Sequence, residues 1–454
     1  MASKARNRHP RAGAKGGQRD RLIEAMTQVA ARHGYRDASV ARVVEQAGVS
    51  RATFYEHFAD KEACFLVAFE VAAARFVAGL PRIEADFSPA NRAGEMLDDL
   101  LGNIVRVPAA ARILLVEALA GGPKVRQAHE RFIFGIEDTF ERWLAGPGEH
   151  GYRLTVPGRA VSEGIGGILL IRCFRGETAS VPNLRHDLLA WLYSYADHED
   201  RPRLSPEEWR AMGAPLVGET GAGFAADAPV QKLPRGRSAA SPEEVTAAQR
   251  QRILAAVGRL ARTHGYLATT VADIVKAAPV TREVFYGLFR NKEDAFLAAQ
   301  SAELEKSIPV TGAAFFAGET WPDRVWGGLE ALLGYFSTDP AAVYLDVIES
   351  YAAGAAALRR SFDNRMAYSL FFEDGYKQRP EAERLPRLCS ESIGDAIVGL
   401  MRWHVSEGRT ERMLEILPLT AYVALAPFIG AEAALDFVEA KTARTLRRIS
   451  PGRL

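Results

Sequence analysis

Residues 19–70 read RDRLIEAMTQVAARHGYRDASVARVVEQAGVSRATFYEHFADKEACFLVAFE, and this stretch decides the fold because the chain contains it twice. Residues 250–301 read RQRILAAVGRLARTHGYLATTVADIVKAAPVTREVFYGLFRNKEDAFLAAQS. The two segments align without a gap at an offset of 231 residues, with 21 identities in 52 positions. A period this long excludes a solenoid, whose repeats span roughly 20–50 residues. It indicates two whole units joined in tandem.

The composition is that of a soluble globular protein. The chain has 454 residues, of which 48% are hydrophobic and 25% charged, and this length allows two to four domains. The net charge is only +1, but the basic residues concentrate in the repeated segments. Residues 1–61 carry 12 Lys and Arg against 6 Asp and Glu, and residues 242–292 carry 8 against 4. Each repeat therefore offers a local surface for phosphate groups.

The cysteines and the apolar segments indicate the compartment. Cys64, Cys173 and Cys389 are widely spaced and form no CxxC pair. This argues against a disulfide framework or a zinc site and favours a reducing cytosol. No secretory signal is evident, and the best candidate for a membrane span, Ala421 to Val438, contains a proline and two acidic residues. We therefore expect a cytoplasmic protein without membrane contact or metal.

Helical periodicity dominates the chain, and strand-type alternation is scarce, so the sequence predicts an all-α fold. The repetition continues beyond the two segments, because the residues around Glu117 resemble those around Glu349, and 162–166 resemble 390–394. Whole subunits are therefore duplicated. The expected organisation is a disordered basic arm (1–18), a first head (19–75), a first body (76–196), a linker with one short helix (197–241), a second head (242–306) and a second body (307–454).

The first repeat contains a helix-turn-helix pattern. Ser39 is placed to cap one helix, Gly48-Val49-Ser50 forms the turn, and Ser50 caps a second helix. Phe54 and Phe58 lie four residues apart on that helix, so both enter the core. A short polar, aromatic and cationic face is left outside, which is what a helix in a DNA groove needs. That face and its flanks comprise Arg51, Ala52, Thr53, Tyr55, His57 and Lys61.

The pattern Gly-Val-Ser-Arg-Ala-Thr-Phe-Tyr-Glu-His-Phe-x-x-Lys-Glu resembles the DNA-binding head of the tetracycline-repressor (TetR) family of bacterial regulators. The resemblance implies an all-helical subunit, with a three-helix head and a larger body that binds effectors and dimerises. By this resemblance Arg51, Ala52 and Tyr55 face the bases. Thr53, Tyr55, His57 and Lys61 match phosphate contacts, and Ser39 and Ser50 complete the predicted DNA-binding set of the first head.

The second repeat keeps part of this set and departs elsewhere. Pro279 replaces the turn glycine, and proline fixes φ near −65°, so the preceding helix should end earlier. Gly287 weakens the second helix by about 1 kcal/mol relative to alanine. These changes allow either a head that serves only for packing or one with altered specificity, and we favour retained but weaker DNA contact. The candidate residues are Thr270, Thr281, Arg282, Glu283, Tyr286 and Lys292.

The resemblance also predicts the assembly and a ligand. TetR-like proteins work as symmetric dimers, so we expect residues 82–196 and 310–448 to pair within one chain, with a homodimer of chains as the alternative. An apolar small-molecule effector is expected in the bodies, without a cofactor. Its candidate contacts are Phe132, Trp143, Phe174, Tyr344, Phe371 and Trp403, each of which could instead be ordinary core. Neither HExxH, GxSxG nor a phosphate loop occurs, which disfavours an enzyme.

Overall fold

The computed structural model describes residues 12–80, 89–144, 153–197, 203–219 and 241–449. Its fold is all-α, which confirms the predicted class. Within the described ranges, the strands are limited to β1 (Arg153–Leu154) and β2 (Ala196–Asp197), which pair antiparallel. Each half consists of a three-helix head followed by a helical body.

The first half contains nine α-helices in its described part. The helices are α1 (Ala12–His33), α2 (Val40–Ala47), α3 (Arg51–His57), α4 (Lys61–Ala78), α5 (Pro89–Arg106), α6 (Pro108–Leu115), α7 (Pro123–Leu144), α8 (Gly158–Arg175) and α9 (Arg185–Tyr193), with 3-10 turns at Glu117–Ala120 and Thr178–Leu184. The head's three helices share a core that includes Leu22, Met26, Val43 and Phe54.

The N-terminal boundary differs from the prediction. Residues 12–18, which we expected to belong to a disordered arm, form the first turns of α1. The segment lacks proline after Pro10, so a helix nucleated further along can extend backwards at the gain of one hydrogen bond per residue. Residues 1–11, the rest of the predicted arm, lie outside the described residues.

The second half repeats the head and has a more divided body. Its helices are α11 (Pro242–His264), α12 (Val271–Ala277), α13 (Arg282–Leu288), α14 (Lys292–Phe316), α15 (Trp321–Thr338), α16 (Pro340–Val343), α17 (Ser350–Ala353), α18 (Ala355–Ser369), α19 (Pro380–Glu383), α20 (Leu388–Ser406), α21 (Leu417–Ile429) and α22 (Ala431–Ile449). A π-helical turn spans Tyr344–Ile348, and 3-10 turns span Leu370–Lys377 and Thr410–Ile416. Ser241 caps α11 through a capping box with Glu244.

Part of the predicted linker is a docked element. The predicted short helix is present as α10 (Pro206–Gly213), is capped by Ser205 and continues as a 3-10 turn, Ala214–Glu219. Trp209 on this helix is buried against Tyr422, with ring centroids 5.1 Å apart. Residues 203–219 therefore belong to the packed bodies, because burying an indole stabilises the docked position. The other linker residues, 198–202 and 220–240, lie outside the described ranges.

The two halves meet mainly where α8 crosses α20. Gly164 and Gly167 on α8 approach Ser392 and Asp395 on α20 so closely that a Cβ on either glycine would collide with the opposite helix. Gly164 is equivalent to Ser392 in the two repeats, and Gly167 is equivalent to Asp395. The crossing therefore lies on the local twofold axis that relates the halves. Tyr195 adds a bond across the halves, donating to the carbonyl oxygen of Val423 at 2.8 Å.

One segment of the second body, Thr410–Ile429, is long and apolar enough to cross a membrane, but 89% of it is buried inside the protein. Burial of this kind is typical of a core helix, so the segment is weak support for a membrane span. The stretch Ala421 to Val438, considered above, is divided between α21 and α22 by Gly430, which has a φ of +93°.

Candidate DNA-binding heads and effector cavities

Helix α3 presents the first predicted reading face. The Ser50 hydroxyl accepts a hydrogen bond from the Thr53 amide at 3.0 Å and so caps the helix. Phe54 is fully buried and Phe58 nearly so, with ring centroids 5.8 Å apart. Their burial turns the opposite side of α3 outward, where Arg51 and Ala52 are exposed and Tyr55 is 51% exposed. This exposure leaves the ring and the hydroxyl of Tyr55 accessible to a partner.

The other candidates of the first head are less accessible. Ser39 caps α2 by accepting from the Arg42 amide at 3.3 Å. Thr53 is half-buried, and its hydroxyl is 2.9 Å from that of Ser50. His57 is also half-buried, and its Nε2 has no partner among the described residues.

Helix α13 in the second head has almost the same geometry. Thr281 caps it by accepting from the Val284 amide at 3.2 Å, and Phe285 is buried. The ring centroids of Phe285 and its neighbour Tyr286 lie 5.4 Å apart, as do those of Phe54 and Tyr55. Tyr286 is 57% exposed, and Arg282 and Glu283 lie beside it on the surface. The departures in sequence therefore leave the shape of this helix intact and change its chemistry.

The turn of the second head differs from the prediction. Pro279 has a φ of +26°, not the −65° that proline prefers, because it stands where the first head has Gly48 at +61°. The turn requires a positive φ that glycine reaches freely and proline does not, so the second turn is strained. Helix α12 ends one residue earlier than α2 relative to the alignment, as predicted. Thr270 caps α12 in a capping box with Asp273.

Both predicted phosphate-binding lysines are engaged inside their heads. The Lys61 ammonium donates to the Tyr35 carbonyl oxygen at 3.0 Å and lies 4.3 Å from the Tyr35 ring centroid. Lys292 donates to the Tyr266 and Thr269 carbonyl oxygens, both at 2.7 Å. Burial lowers the pKa of both ammonium groups. A phosphate contact by either lysine would have to share or replace these bonds.

A buried glutamate joins each body to its head. Glu117 accepts from the Tyr35 amide at 2.8 Å, and Glu349 accepts from the Tyr266 amide at 2.7 Å. Each amide follows the glycine that ends the first helix of its head, and burial raises the pKa of both carboxyl groups. We call these two contacts the latches. The repeated sequence around the glutamates was visible beforehand, but only the fold reveals what they bind.

The first latch also reaches the interface between the halves. Arg112 pairs with Glu117 at 3.1 Å and donates to the Cys173 carbonyl oxygen at the end of α8 at 3.0 Å. The corresponding residue in the second half, five positions before Glu349, is Tyr344. Glu117 and Arg112 therefore connect the Tyr35 amide of the first head to the end of α8. The second latch lacks this connection because Tyr344 stands in place of the arginine.

The two heads also contact each other, through a residue that sequence reasoning missed. Arg36 pairs with Glu293 at the start of α14 at 3.1 Å and donates to the Ala353 carbonyl oxygen at 2.7 Å. The aligned residue of the second head is Leu267. Because leucine cannot form an ion pair, the second head cannot make the equivalent contact with the first half. Arg36 therefore joins the first head to the second half without a symmetric counterpart.

The predicted effector contacts do not converge on one site. Phe371 lines a cavity inside the second body, whereas Tyr344 and Trp403 line a larger cleft between the halves. Phe174 packs across the interface on Phe362, with ring centroids 5.4 Å apart. Phe132 is buried in the core of the first half, and the side chain of Trp143 lies outside the described residues.

The cavity of the second body is narrow and mainly apolar. Its free volume is about 70 Å³, and its walls come from α14, α15, α18 and α20. Asp346 and Arg365 are the charged groups on its wall, and Arg365 pairs with Asp395 at 2.7 Å. Burial raises the pKa of Asp346 and of Asp395 to about 6. An adjoining space of about 250 Å³ shares Arg365 and extends to α8 of the first half.

The fold and the two exposed helix faces define a protein with paired helix-turn-helix heads on helical bodies. The family model described as "Bacterial regulatory proteins, tetR family" matches residues 22–68 and again residues 253–299. The chain therefore carries the DNA-binding head of this family twice.

Each of the following relatives matches less than half of the chain. The HTH-type transcriptional repressor AcnR of Corynebacterium diphtheriae is 30% identical over 120 residues, which cover 26% of this chain and 59% of AcnR. The fatty acid degradation regulator FadR of Bacillus halodurans is 18% identical, with a TM-score of 0.33 over 40% of this chain and 97% of FadR. FadR of Bacillus subtilis, solved in complex with stearoyl-CoA, is 18% identical, with a TM-score of 0.32, and the match covers 38% of this chain and 96% of that FadR.

Proposed function

We propose that the protein is a transcriptional repressor that binds operator DNA through its helix-turn-helix heads and is released by a small, fairly apolar effector. The observation that carries this proposal is the capped helix α3, which exposes Arg51 and Tyr55 beside each other on a basic head. Arginine and tyrosine at the start of such a helix can contact base edges and phosphates in a major groove. The match of both heads to the tetR family model supports the same function.

The two halves are proposed to act as an internal pseudo-dimer. Arg402 on α20 pairs with Glu163 on α8, and both side chains are nearly buried. The position equivalent to Arg402 in the first half is Phe174, so two first halves paired in this way would leave Glu163 without this cation. A buried carboxylate without a partner is costly, by about 3–5 kcal/mol when an existing pair is broken.

Two second halves would be mismatched as well. Asp395 of the second half packs against Gly167, which holds the equivalent position in the first half. A pair of second halves would therefore place two Asp395 carboxylates against each other. Like charges at such a distance repel each other strongly in a buried setting. The interface therefore suits one first half and one second half. Mass measurement by light scattering is expected to find one chain per particle, and two chains per particle would contradict this part of the proposal.

The operator is expected to be an imperfect palindrome. The first head offers Arg51, Ala52 and Thr53 at the start of its reading helix, whereas the second offers Arg282, Glu283 and Val284. Glutamate can accept from the cytosine amino group, and valine can contact a thymine methyl group. The half-sites should therefore differ, and selection of a perfect inverted repeat by a single chain would count against two working heads.

Effector release is proposed to act through the latches. The apolar cavity of the second body includes Asp346 and Val347 of the π-helical turn, and Glu349 follows directly after that turn. A ligand that widens the cavity would displace this turn and so change the position of the second head. Coupling of this kind is reciprocal, so operator DNA should weaken effector binding by the same factor.

A second candidate function is a regulator with a single working head. The strained Pro279 and the open position of Gly287 favour it, because both weaken the second head. Gel-shift assays on DNA upstream of the gene, with Tyr55→Ala and Tyr286→Ala compared, separate the two functions. Loss of binding with either variant supports two working heads, whereas loss with Tyr55→Ala alone supports one. Unchanged binding by both variants would refute the proposed DNA-binding role.

A further inference from the structure

A large cleft separates the first body from the second head. It lies between α7 of the first half and the ends of α11 and α20 of the second, and its volume is about 1040 Å³. We call it the central cleft. It is distinct from the cavity inside the second body, and it is large enough for an organic ligand, since such sites usually measure about 300–1,000 Å³.

Two buried nitrogen atoms on the wall of the central cleft have no hydrogen-bond partner among the described residues. They are Nδ1 of His129 and Nη1 of Arg159, whose residues are only 3% and 5% exposed. The Nη2 of Arg159 pairs with Glu137 at 2.5 Å, so one side of the guanidinium is engaged and the other is not. Buried polar atoms without partners are rare and costly, and a ligand that displaces the groups covering these nitrogens could supply the missing partners.

The donors left free on the wall favour an anion, although most of its charges are paired. Five arginines and three glutamates line the central cleft, and four of these arginines pair with glutamates behind the wall, namely Arg131 with Glu70, Arg159 with Glu137, Arg262 with Glu411 and Arg402 with Glu163. Burial raises the pKa of Glu130 and of Glu349, which favours their uncharged forms, whereas arginine keeps its charge. The unpartnered Nη1 of Arg159 is a fixed donor that a carboxylate, sulfonate or phosphate oxygen can accept from.

Part of the remaining wall is aromatic. Two guanidinium groups lie close to the ring of Trp403, with Arg159 4.7 Å and Arg210 4.2 Å from its centroid. Tyr344 contributes to the wall, and Phe134 is 65% exposed at its edge. Exposed aromatic side chains in a concave site can stack on a flat ligand.

We infer that the central cleft binds an aromatic organic anion, whose charged group is held by Arg159 and whose ring packs on Phe134 and Tyr344. The equivalent cleft on the other side of the molecule is smaller, about 550 Å³, and has Phe174 in the position of Arg402. The described part of the chain therefore holds one such site. Gly265 and Glu349 of the second latch also line it, so its ligand contacts the second head directly.

Fluorescence titration of the full chain with 8-anilinonaphthalene-1-sulfonate tests the site. Phe134→Glu and Gln127→Glu each add a carboxylate to exposed positions of the cleft wall and should weaken binding of this sulfonate about tenfold or more, which corresponds to about 1.4 kcal/mol. Phe316→Glu is the matched control, because Phe316 is equally exposed but lies on the second body away from the cleft, and it should leave binding unchanged.

The uncharged probe N-phenyl-1-naphthylamine tests the requirement for an anion. It should bind at least tenfold more weakly than the sulfonate, and added salt should weaken only the sulfonate. The inference is overturned if both cleft variants bind the sulfonate as tightly as the unmodified chain, if the neutral probe binds equally well, or if no binding is detected. These outcomes do not depend on DNA binding, so they leave the proposed regulatory function untouched.

Discussion

Gly167 and Asp395 occupy equivalent positions in the two halves, and they pack directly against each other where α8 crosses α20. The absence of a side chain on one residue makes room for the carboxylate of the other, which pairs with Arg365 of its own half. A symmetric interface cannot make this arrangement. After duplication, a pair of equivalent residues can diverge in opposite directions only if both are always present in the same complex.

Gly167→Ala should destabilise the protein by about 1–3 kcal/mol, because the added methyl group meets Asp395 in a packed interface. Gly166→Ala is the control, since a Cβ there has no atom within 4 Å, and it should stabilise α8 by up to about 1 kcal/mol through helix propensity. Urea unfolding of the two variants measures the difference. Equal stability of the two variants would show that the interface is not formed as described.

Breaking the latches should free the head amides. Glu117→Ala leaves the Tyr35 amide, and Glu349→Ala the Tyr266 amide, without an acceptor, at a cost of about 1–3 kcal/mol each. Hydrogen–deuterium exchange should accelerate at the affected amide in each variant. The matched glutamine variants keep an acceptor oxygen and should exchange more slowly than the alanine variants. Indistinguishable exchange in the alanine and glutamine variants would exclude the latch.

Pro279→Gly should stabilise the second head. Glycine reaches the positive φ freely whereas the proline ring opposes it, and this gain should exceed the entropic loss of about 0.4–1 kcal/mol that arises because glycine is freer in the unfolded chain. Exchange across α12 and α13 should slow. The reverse change, Gly48→Pro, should accelerate exchange across α2 and α3. A faster-exchanging Pro279→Gly head would mean that proline fits this turn without strain.

The second body should be more stable in mild acid than at neutral pH. Burial raises the pKa of Asp346 to about 6, so the folded state holds this proton more tightly than the unfolded state does. The resulting stability is fully present below about pH 4 and is lost as the pH rises through 6, to the extent of about 3 kcal/mol by the linkage relation. Asp346→Asn removes this titrating group and should reduce the dependence, leaving the contribution of Asp395, whose pKa burial also raises to about 6.

Urea unfolding at pH 5 and pH 7.5 provides the measurement for this prediction. Asp363→Asn is the control, because Asp363 is exposed on α18 near the same cavity, and it should keep the pH dependence of the unmodified chain. A pH dependence that persists unchanged in Asp346→Asn would show that this carboxyl group does not titrate as described.

Local patterns in the sequence were sufficient for the heads. The capping serines, the Phe54 and Phe58 spacing and the turn at Gly48 each depend on residues close together in the chain, and the structure places them as predicted. The duplication itself predicted that this geometry would occur twice. Pro279 shows the limit, since the tertiary demand for a positive φ prevailed over the preference of proline.

The sequence by itself determined that the chain is all-α, duplicated and equipped with two helix-turn-helix heads, because helix periodicity, caps and turns are encoded within a few residues. Only the tertiary structure decided that Lys61 is engaged by carbonyl groups, that residues 203–219 dock on the second body, and that Glu117 and Glu349 bind the head amides. These contacts join residues from 26 to more than 200 positions apart. Periodicity carries no information about such partners, which are set by how the helices pack.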